Sequence, residues 1–263
     1  MKLHVFGVCA GTEPIAGFHH VSFALEMDNG LYIFDAGESC SHTAHTMGVD
    51  LLKTREIFIS HCHMDHVGGL GNLLWNIRKL AHLKKRPPVG GAIGVHIPYL
   101  ESYQAVMRLL AHTEGDFACD YAHRGQEVAD GLVYCGPEDG IQVSAAHNRH
   151  LGEPADGRWR SFGYRVQTPE YRLCFSGDTT LADLPALVGE GCDALLMETG
   201  HHQVAAVCQA LREQRLRVSM LLFLHHGKWV LADLPGAALA AQRLFDGPVL
   251  MLREGMTLDL SKG

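Results

Sequence analysis

The chain has 263 residues, of which 47% are hydrophobic and 19% charged, with 29 glycines and only 10 prolines, a profile that excludes disordered and collagen-like classes. Its 22 basic and 29 acidic residues give a net charge of −7 with histidines neutral. Phosphate neutralisation supplies most of the affinity of a dedicated nucleic-acid binder, so no long groove for RNA or DNA is expected. No apolar run reaches the ~18 residues of a membrane span, and no charged stretch followed by an apolar one opens the chain. The expectation is a cytoplasmic protein with no membrane partner.

Short runs rich in β-branched or aromatic residues predict strands at Leu3 to Val8, Val21 to Leu25, Leu31 to Phe34 and Glu56 to Ser60, each bounded by Gly or Asp turns. Helical spacing follows from Gly69 to Leu83, where Leu70, Leu73, Leu74, Ile77 and Leu80 share a face, and again from Tyr99 to Leu110. Lys84 to Gly91 reads as a loop. The second half opens with strands near Leu132 to Tyr134, Ile141 to Ala146, Ser161 to Gln167 and Tyr171 to Ser176. Strands at Ala194 to Met197 and Met220 to Leu224 then alternate with helices at about Leu181 to Val188, Gln203 to Arg215 and Leu234 to Phe245. Strands first and helices later, twice over, predict an α/β protein of two packed mixed sheets with helices on the outer faces, an αββα four-layer sandwich. No low-complexity linker divides the halves, so residues 1–263 read as a single domain of two related layers; the halves show no visible sequence identity, and an internal repeat is only suspected.

Eight cysteines form no Cys-x-x-Cys pair and are read as reduced thiols. Histidine is the anomaly, since its 18 copies nearly match the 22 lysines and arginines together. After the strand Glu56 to Ser60 comes His61-Cys62-His63-Met64-Asp65-His66. Four nitrogen or oxygen donors in six residues converge only if the backbone turns sharply, and a pair of metal ions is the simplest reason to gather them. His61 and His63 have the spacing that points two side chains one way from an extended segment. Asp65 and His66 then turn toward a second position, while Cys62 and Met64 alternate with the donors and are expected to pack inward.

The His-x-His-x-Asp-His run resembles the signature of the metallo-β-lactamase superfamily, and further elements follow in family order. Asp35 stands in Phe34-Asp35-Ala36-Gly37, His147 follows the strand Ile141 to Ala146, Asp178 stands in Ser176-Gly177-Asp178-Thr179, and a histidine occurs in Leu224-His225-His226-Gly227. The resemblance implies that His61, His63 and His147 hold one metal, that Asp65, His66 and a late histidine hold a second, and that Asp178 bridges them. The resemblance assigns the late ligand to His225 rather than His226, because the family's ligand directly follows the last apolar residue of this strand, here Leu224, and neighbours on a strand face opposite ways. Imidazole and carboxylate suit two zinc ions, with manganese or iron as alternatives, and a shared anion offsets repulsion between dications about 3.5–4 Å apart. Asp35 reads either as an orienting hydrogen-bond partner or as a turn-forming residue.

Within the superfamily the chain resembles ribonuclease Z-like phosphodiesterases, through the glycine-rich Gly7 to Gly17, through Phe175-Ser176-Gly177-Asp178-Thr179 and through the strand Asp193 to Thr199 that carries Glu198. Asp178 follows His147 by only 31 positions, too few for the long tRNA-gripping arm of bacterial ribonuclease Z. The implied activity is therefore hydrolysis of a small or nucleotide-type phosphodiester by a metal-bound hydroxide, with Asp65 steering the nucleophile. Ester, lactone or thioester hydrolysis and a non-catalytic metal-binding module are the alternatives. Glu198 with a histidine of the pair His201-His202, His202 by preference, is assigned to proton delivery at the leaving group. A homodimer is left open.

Overall fold

A computed structural model describes residues 1–260 of the protein. Among these, the chain forms two compact units, each built on one seven-stranded mixed sheet. The first takes Met1–Gly7, Pro14–Val128 and the segment from Glu254, and the second takes Val8–Glu13 and Ala129–Arg253.

The first sheet contains β1 (Lys2–Gly7), β2 (Ser22–Glu26), β3 (Leu31–Phe34), β4 (Thr54–Phe58), β5 (Ala92–Ile97), β6 (Ala122–Glu127) and the late strand β14 (Thr257–Asp259). Their order is β14-β1-β2-β3-β4-β5-β6, antiparallel as far as β3 and parallel from there on. Parallel neighbours need long crossovers. Helices α1 (Cys40–Thr46), α2 (Met64–Val67), α3 (Leu70–Lys84) and α4 (Leu100–Ala111) lie in them. Leu70, Leu73, Leu74 and Ile77 of α3 are buried in one cluster with Ile33, Ile57 and Val95 of the sheet and with Ile59 just past β4. Each such side chain contributes about 1.5–3 kcal/mol by leaving water. The alternate residues of the strands carry a ladder of rings, Phe23 on Phe34 on Phe58 on His96, with centroids 5.0, 5.0 and 4.7 Å apart.

The second sheet contains β7 (Gly131–Gly136), β8 (Ile141–His147), β9 (Phe162–Gln167), β10 (Arg172–Phe175), β11 (Cys192–Thr199), β12 (Val218–His226) and β13 (Val249–Met251). It is antiparallel from β7 to β10 and parallel from β10 to β13. Helices α5 (Leu184–Val188), α6 (Val204–Glu213), α7 (Lys228–Ala232) and α8 (Leu234–Gln242) fill its crossovers. Leu187, Val207 and Leu211 pack there against Leu195, Met197, Leu221 and Phe223. Each sheet thus has three antiparallel pairings followed by three parallel ones, the architectural repeat that the sequence only suggests.

The strands and helices expected from the sequence are all present, with shifts of one to three residues at their ends; the strand expected over Glu56 to Ser60 runs Thr54–Phe58 instead. Strands β5, β6, β13 and β14 and helices α1, α2 and α7 were not foreseen. Strand β5 lacks a clean pattern because Gly94 makes room for Glu56, whose carboxylate reaches His96 Nε2 at 2.9 Å, and a Cβ at Gly94 would lie 1.7 Å from that carboxylate. Strand β6, Ala-His-Arg-Gly-Gln-Glu, is a polar edge with no apolar period. Among the described residues none of the eight cysteines forms a disulfide, and no helix is long and apolar enough to cross a membrane.

Candidate metal centre

In the first unit the donors follow the C-terminal end of β4, on a chain segment bolted to the turn after β3. Ala36 N–H donates to His66 O at 2.7 Å and Gly69 N–H donates to Ala36 O at 2.8 Å. A Cβ at Gly69 would sit 2.2 Å from Gly37 O, so only glycine lets α3 begin this close to the turn. Asp35 occupies the left-handed region at φ 54° and is fully buried. Its carboxylate accepts from Ser60 N–H at 2.7 Å, from Ser60 Oγ at 2.9 Å and from His66 Nδ1 at 2.6 Å. A carboxylate only accepts, so Nδ1 carries the proton and Nε2 of His66 keeps its lone pair. That nitrogen lies 3.3 Å from Asp65 Oδ2. His61 Nε2 stands 2.9 Å from His63 Nδ1, and the His61 and His66 ring centroids are 4.0 Å apart. Asp65, His61 and His66 are buried and His63 is exposed.

In the second unit the donors come from four strand ends. Asp178, just past β10 and 2% exposed, is approached by His225 Nδ1 at 3.2 Å, His150 Nε2 at 3.6 Å and His201 Nδ1 at 3.8 Å. Glu198, buried in β11, accepts from His201 N–H at 2.8 Å and from His201 Nδ1 at 3.1 Å, and its Oε2 lies 3.9 Å from His225 Nδ1. Burial pushes the Glu198 carboxyl up, but hydrogen bonds from His201 and His225 and the charge at His225 outweigh it and hold it at about 2. The His201 imidazole is raised chiefly by its hydrogen bond to Glu198. Donor atoms of Glu198, His201 and His225 lie within 4.8 Å of one another. Gly200 makes this possible, since a Cβ there would meet His225 Nδ1 at 2.6 Å.

The geometry separates His225 from His226 more sharply than strand alternation does. The β11–β12 register slips between Glu198 and Thr199, and His225 takes a left-handed φ of 50°, so its ring turns toward Asp178. His226 is committed elsewhere: Nε2 donates to Leu252 O at 2.9 Å and Nδ1 accepts from Thr199 Oγ1 at 2.8 Å. Burial holds its imidazole at about 4 and therefore neutral.

Three expectations need correction. His147 does not stand with the donors around Asp178. As the last residue of β8 it is held by Asp130, which accepts from Nδ1 at 2.6 Å and from the backbone N–H at 2.7 Å, and its ring stacks on Trp159 at 4.0 Å. His150, three positions on and past the strand end, takes the place beside Asp178. His202 lies within ion-pair reach of Glu198 at 3.5 Å but its Nε2 donates to Thr179 O at 2.7 Å, whereas His201 makes the two closer contacts with the carboxylate. Met64 does not pack inward but is 73% exposed, whereas Cys62 does pack against the first unit's core.

The donor set fits divalent cations. Ligands about 2.1 Å from a tetrahedral ion are about 3.4 Å from one another. The separations of 2.9, 3.2, 3.3 and 3.6 Å between ring nitrogens and their neighbouring donors bracket that value, and the longest exceeds a good hydrogen bond. All the donors are nitrogen or oxygen, the pattern that zinc, manganese and iron share.

Residues 1–93 match the family profile of the anti-Pycsar protein Apyc1. The chain is 24% identical to ribonuclease Z of Methanothermobacter thermautotrophicus over 229 residues, covering 71% of this chain and 70% of that protein. It is 30% identical to Staphylococcus aureus ribonuclease Z over 173 residues, covering 65% of this chain and only 50% of that protein. The chain thus spans about half the length of the staphylococcal relative. Among solved structures, the metallo-β-lactamase fold protein YhfI of Bacillus subtilis superposes with a TM-score of 0.72 at 16% identity, covering 98% of both chains. The short form of human tRNase Z superposes with a TM-score of 0.71 at 17% identity over the whole of both chains. This fold is the one the sequence motifs imply.

Proposed function

We propose, from the fold shared with metallo-β-lactamase fold proteins and the likeness to ribonuclease Z, that the chain is a metal-dependent hydrolase, a dinuclear phosphodiesterase for small or nucleotide-type substrates, with residues 1–263 working as one domain. The observation that carries the reading is the buried Asp178 carboxylate, met by the His225 and His150 imidazoles from two separate segments at distances suited to a shared cation. In this reading His61, His63, Asp65 and His66 of the first unit and His150, Asp178 and His225 of the second would hold the cations, with Asp178 as the shared carboxylate. His150 replaces His147 on the ground of its approach to Asp178. A bound pair of divalent cations supplies charge stabilisation for the phosphoryl oxygens and lowers the pKa of a water nucleophile.

The chain's own residues do the rest. Asp35 fixes the His66 tautomer, so that Nε2 faces the cation. Asp65 orients the attacking water through its carboxylate. His201, hydrogen-bonded to Glu198, holds a proton on its ring for the departing alkoxide, and Glu198 stays ionised to keep it there. His202, tied to Thr179 O, props the same turn. A net charge of −7 supports a short substrate over a long nucleic acid.

The test is activity of protein reconstituted with zinc or manganese on bis-p-nitrophenyl phosphate and on nucleotide phosphodiesters, beside thioester and lactone panels. Turnover of phosphodiesters that is lost in Asp178→Ala is expected. Turnover confined to thioesters or lactones would contradict the reading, as would inert protein that carries both metals.

A further inference from the structure

His147 is left without its expected role, and its surroundings are more elaborate than a strand end requires. One carboxylate, Asp130, accepts from both its backbone N–H and its Nδ1, which fixes the ring's rotation as well as its tautomer. Trp159 lies on that ring with centroids 4.0 Å apart and planes 14° from parallel. The neck of the intervening loop is closed, since His147 pairs with Phe162 in register and Asn148 N–H donates to Ser161 O at 3.0 Å. The loop is also pinned at Arg149, whose backbone N–H and guanidinium both reach Asp183. Yet the ring pair is not sealed: the His147 side chain is 36% exposed and Trp159 is half-buried. Two flat rings have been ordered in advance at the surface of the second unit, three residues from His150 and the Asp178 cluster.

Ordering exposed aromatic side chains costs conformational entropy, and a stacked pair returns that cost when a third flat ring extends it. Base-on-aromatic stacking contributes about 1–3 kcal/mol per base and tolerates any base, because each has a π-face. From the fixed orientation, the near-parallel planes and the partial exposure, we infer that His147 and Trp159 form a stacking platform for the nucleobase of a phosphodiester substrate, with Asp130 as its positioning residue. The inference rests on the phosphodiesterase reading for where the phosphate sits, and it adds a specificity determinant that selects nucleotides over phosphodiesters without a flat ring.

The experiment compares binding of AMP and of ribose phosphate to the metal-loaded protein by calorimetry, so that no turnover is needed. The wild type is expected to favour AMP. In Trp159→Ala the ratio of the two affinities should fall by roughly 5- to 150-fold, the range that 1–3 kcal/mol implies. Trp159→Phe, which keeps a ring and the fold, should retain most of the preference, and Asp130→Asn should lose part of it. A purely structural clamp would lower melting temperature in these variants without moving the ratio. An unchanged ratio in Trp159→Ala, or no preference for AMP in the wild type, overturns the platform. If the preference holds and follows Trp159 while no phosphodiester is hydrolysed, the catalytic reading fails and the platform stands. If phosphodiesters are hydrolysed with no preference for a base, the platform fails and the catalytic reading stands.

Discussion

The two units carry the same sheet pattern but load their strand ends differently. In the first, the four donors His61, His63, Asp65 and His66 come from one continuous run after β4, and a single buried carboxylate, Asp35 after β3, organises them through Ser60 and His66. In the second, Asp178 follows β10, Glu198 lies in β11, His225 lies in β12 and His150 follows β8, so four strand ends each supply one group. The equivalent positions after β3 and β10 both carry an aspartate, yet Asp35 is consumed by hydrogen bonds within the protein while Asp178 faces imidazoles. One scaffold thus carries a compact run of donor residues in one copy and a dispersed set in the other. A dispersed site depends on more strand ends and so is easier to break by a single change.

The largest effect is expected where that dispersion converges. Asp178→Ala should reduce turnover to background and release at least one metal, measured by elemental analysis beside activity; full metal content in the variant would refute a bridging role. Next comes Glu198→Gln, which should retain both metals yet slow substrates with poor leaving groups by about 10²- to 10⁴-fold, with p-nitrophenolate esters affected less. His201→Ala should follow Glu198→Gln and His202→Ala should not, since only His201 makes both close contacts with the carboxylate. Equal loss in the two histidine variants would return the pair to ambiguity in favour of a shared role.

In the first unit the matching change is smaller. Asp35→Asn leaves the four donors in place and removes the charge that fixes His66, so metal affinity or activity should fall by about 10- to 100-fold. Metal titration would check this, and an effect as large as that of Asp178→Ala would erase the distinction drawn between the two aspartates.

The smallest expected effect lies away from both donor sets. His123 in β6 sits beside Phe117 and Tyr121, its ring nitrogens have no hydrogen-bond partner among the described residues, and burial holds it at about 4. Its folded pKa lies below the ordinary imidazole value of about 6.5, so the unfolded chain binds the extra proton between these values. Stability from this residue is therefore complete above about pH 6.5 and is lost as pH falls toward 4. His123→Phe should flatten the melting temperature of the first unit across that window. An unaltered slope would mean that His123 titrates as an ordinary exposed imidazole.

The contrast between the units also explains what the sequence revealed. A contiguous ligand run is visible as a motif, so His61, His63, Asp65 and His66 could be read directly, and the strands and the longer helices followed from apolar periodicity. Dispersed donors offer no such run. His61, His150 and Asp178 each stand three positions past their strand, after Phe58, His147 and Phe175, because the chain needs that length to turn across the strand ends. That spacing favours His150, and the missed signal was a second histidine beyond a strand that already ended in one. A turn's side-chain directions are not periodic, so the sequence does not separate His201 from His202, and the backbone N–H of His201 reaching Glu198 is what singles His201 out. Strands β5 and β6 were hidden by glycines that accommodate Glu56 and Tyr103 and by the polar composition of an edge strand.

The proposed metal centre takes His150, not His147, from the second unit. Its most direct test is the metal content of wild type, His147→Ala and His150→Ala after identical reconstitution and desalting, read by elemental analysis. Two metals per chain in the wild type and in His147→Ala, with loss in His150→Ala, is the predicted result. Metal-free wild type, or loss in His147→Ala with full retention in His150→Ala, would contradict it.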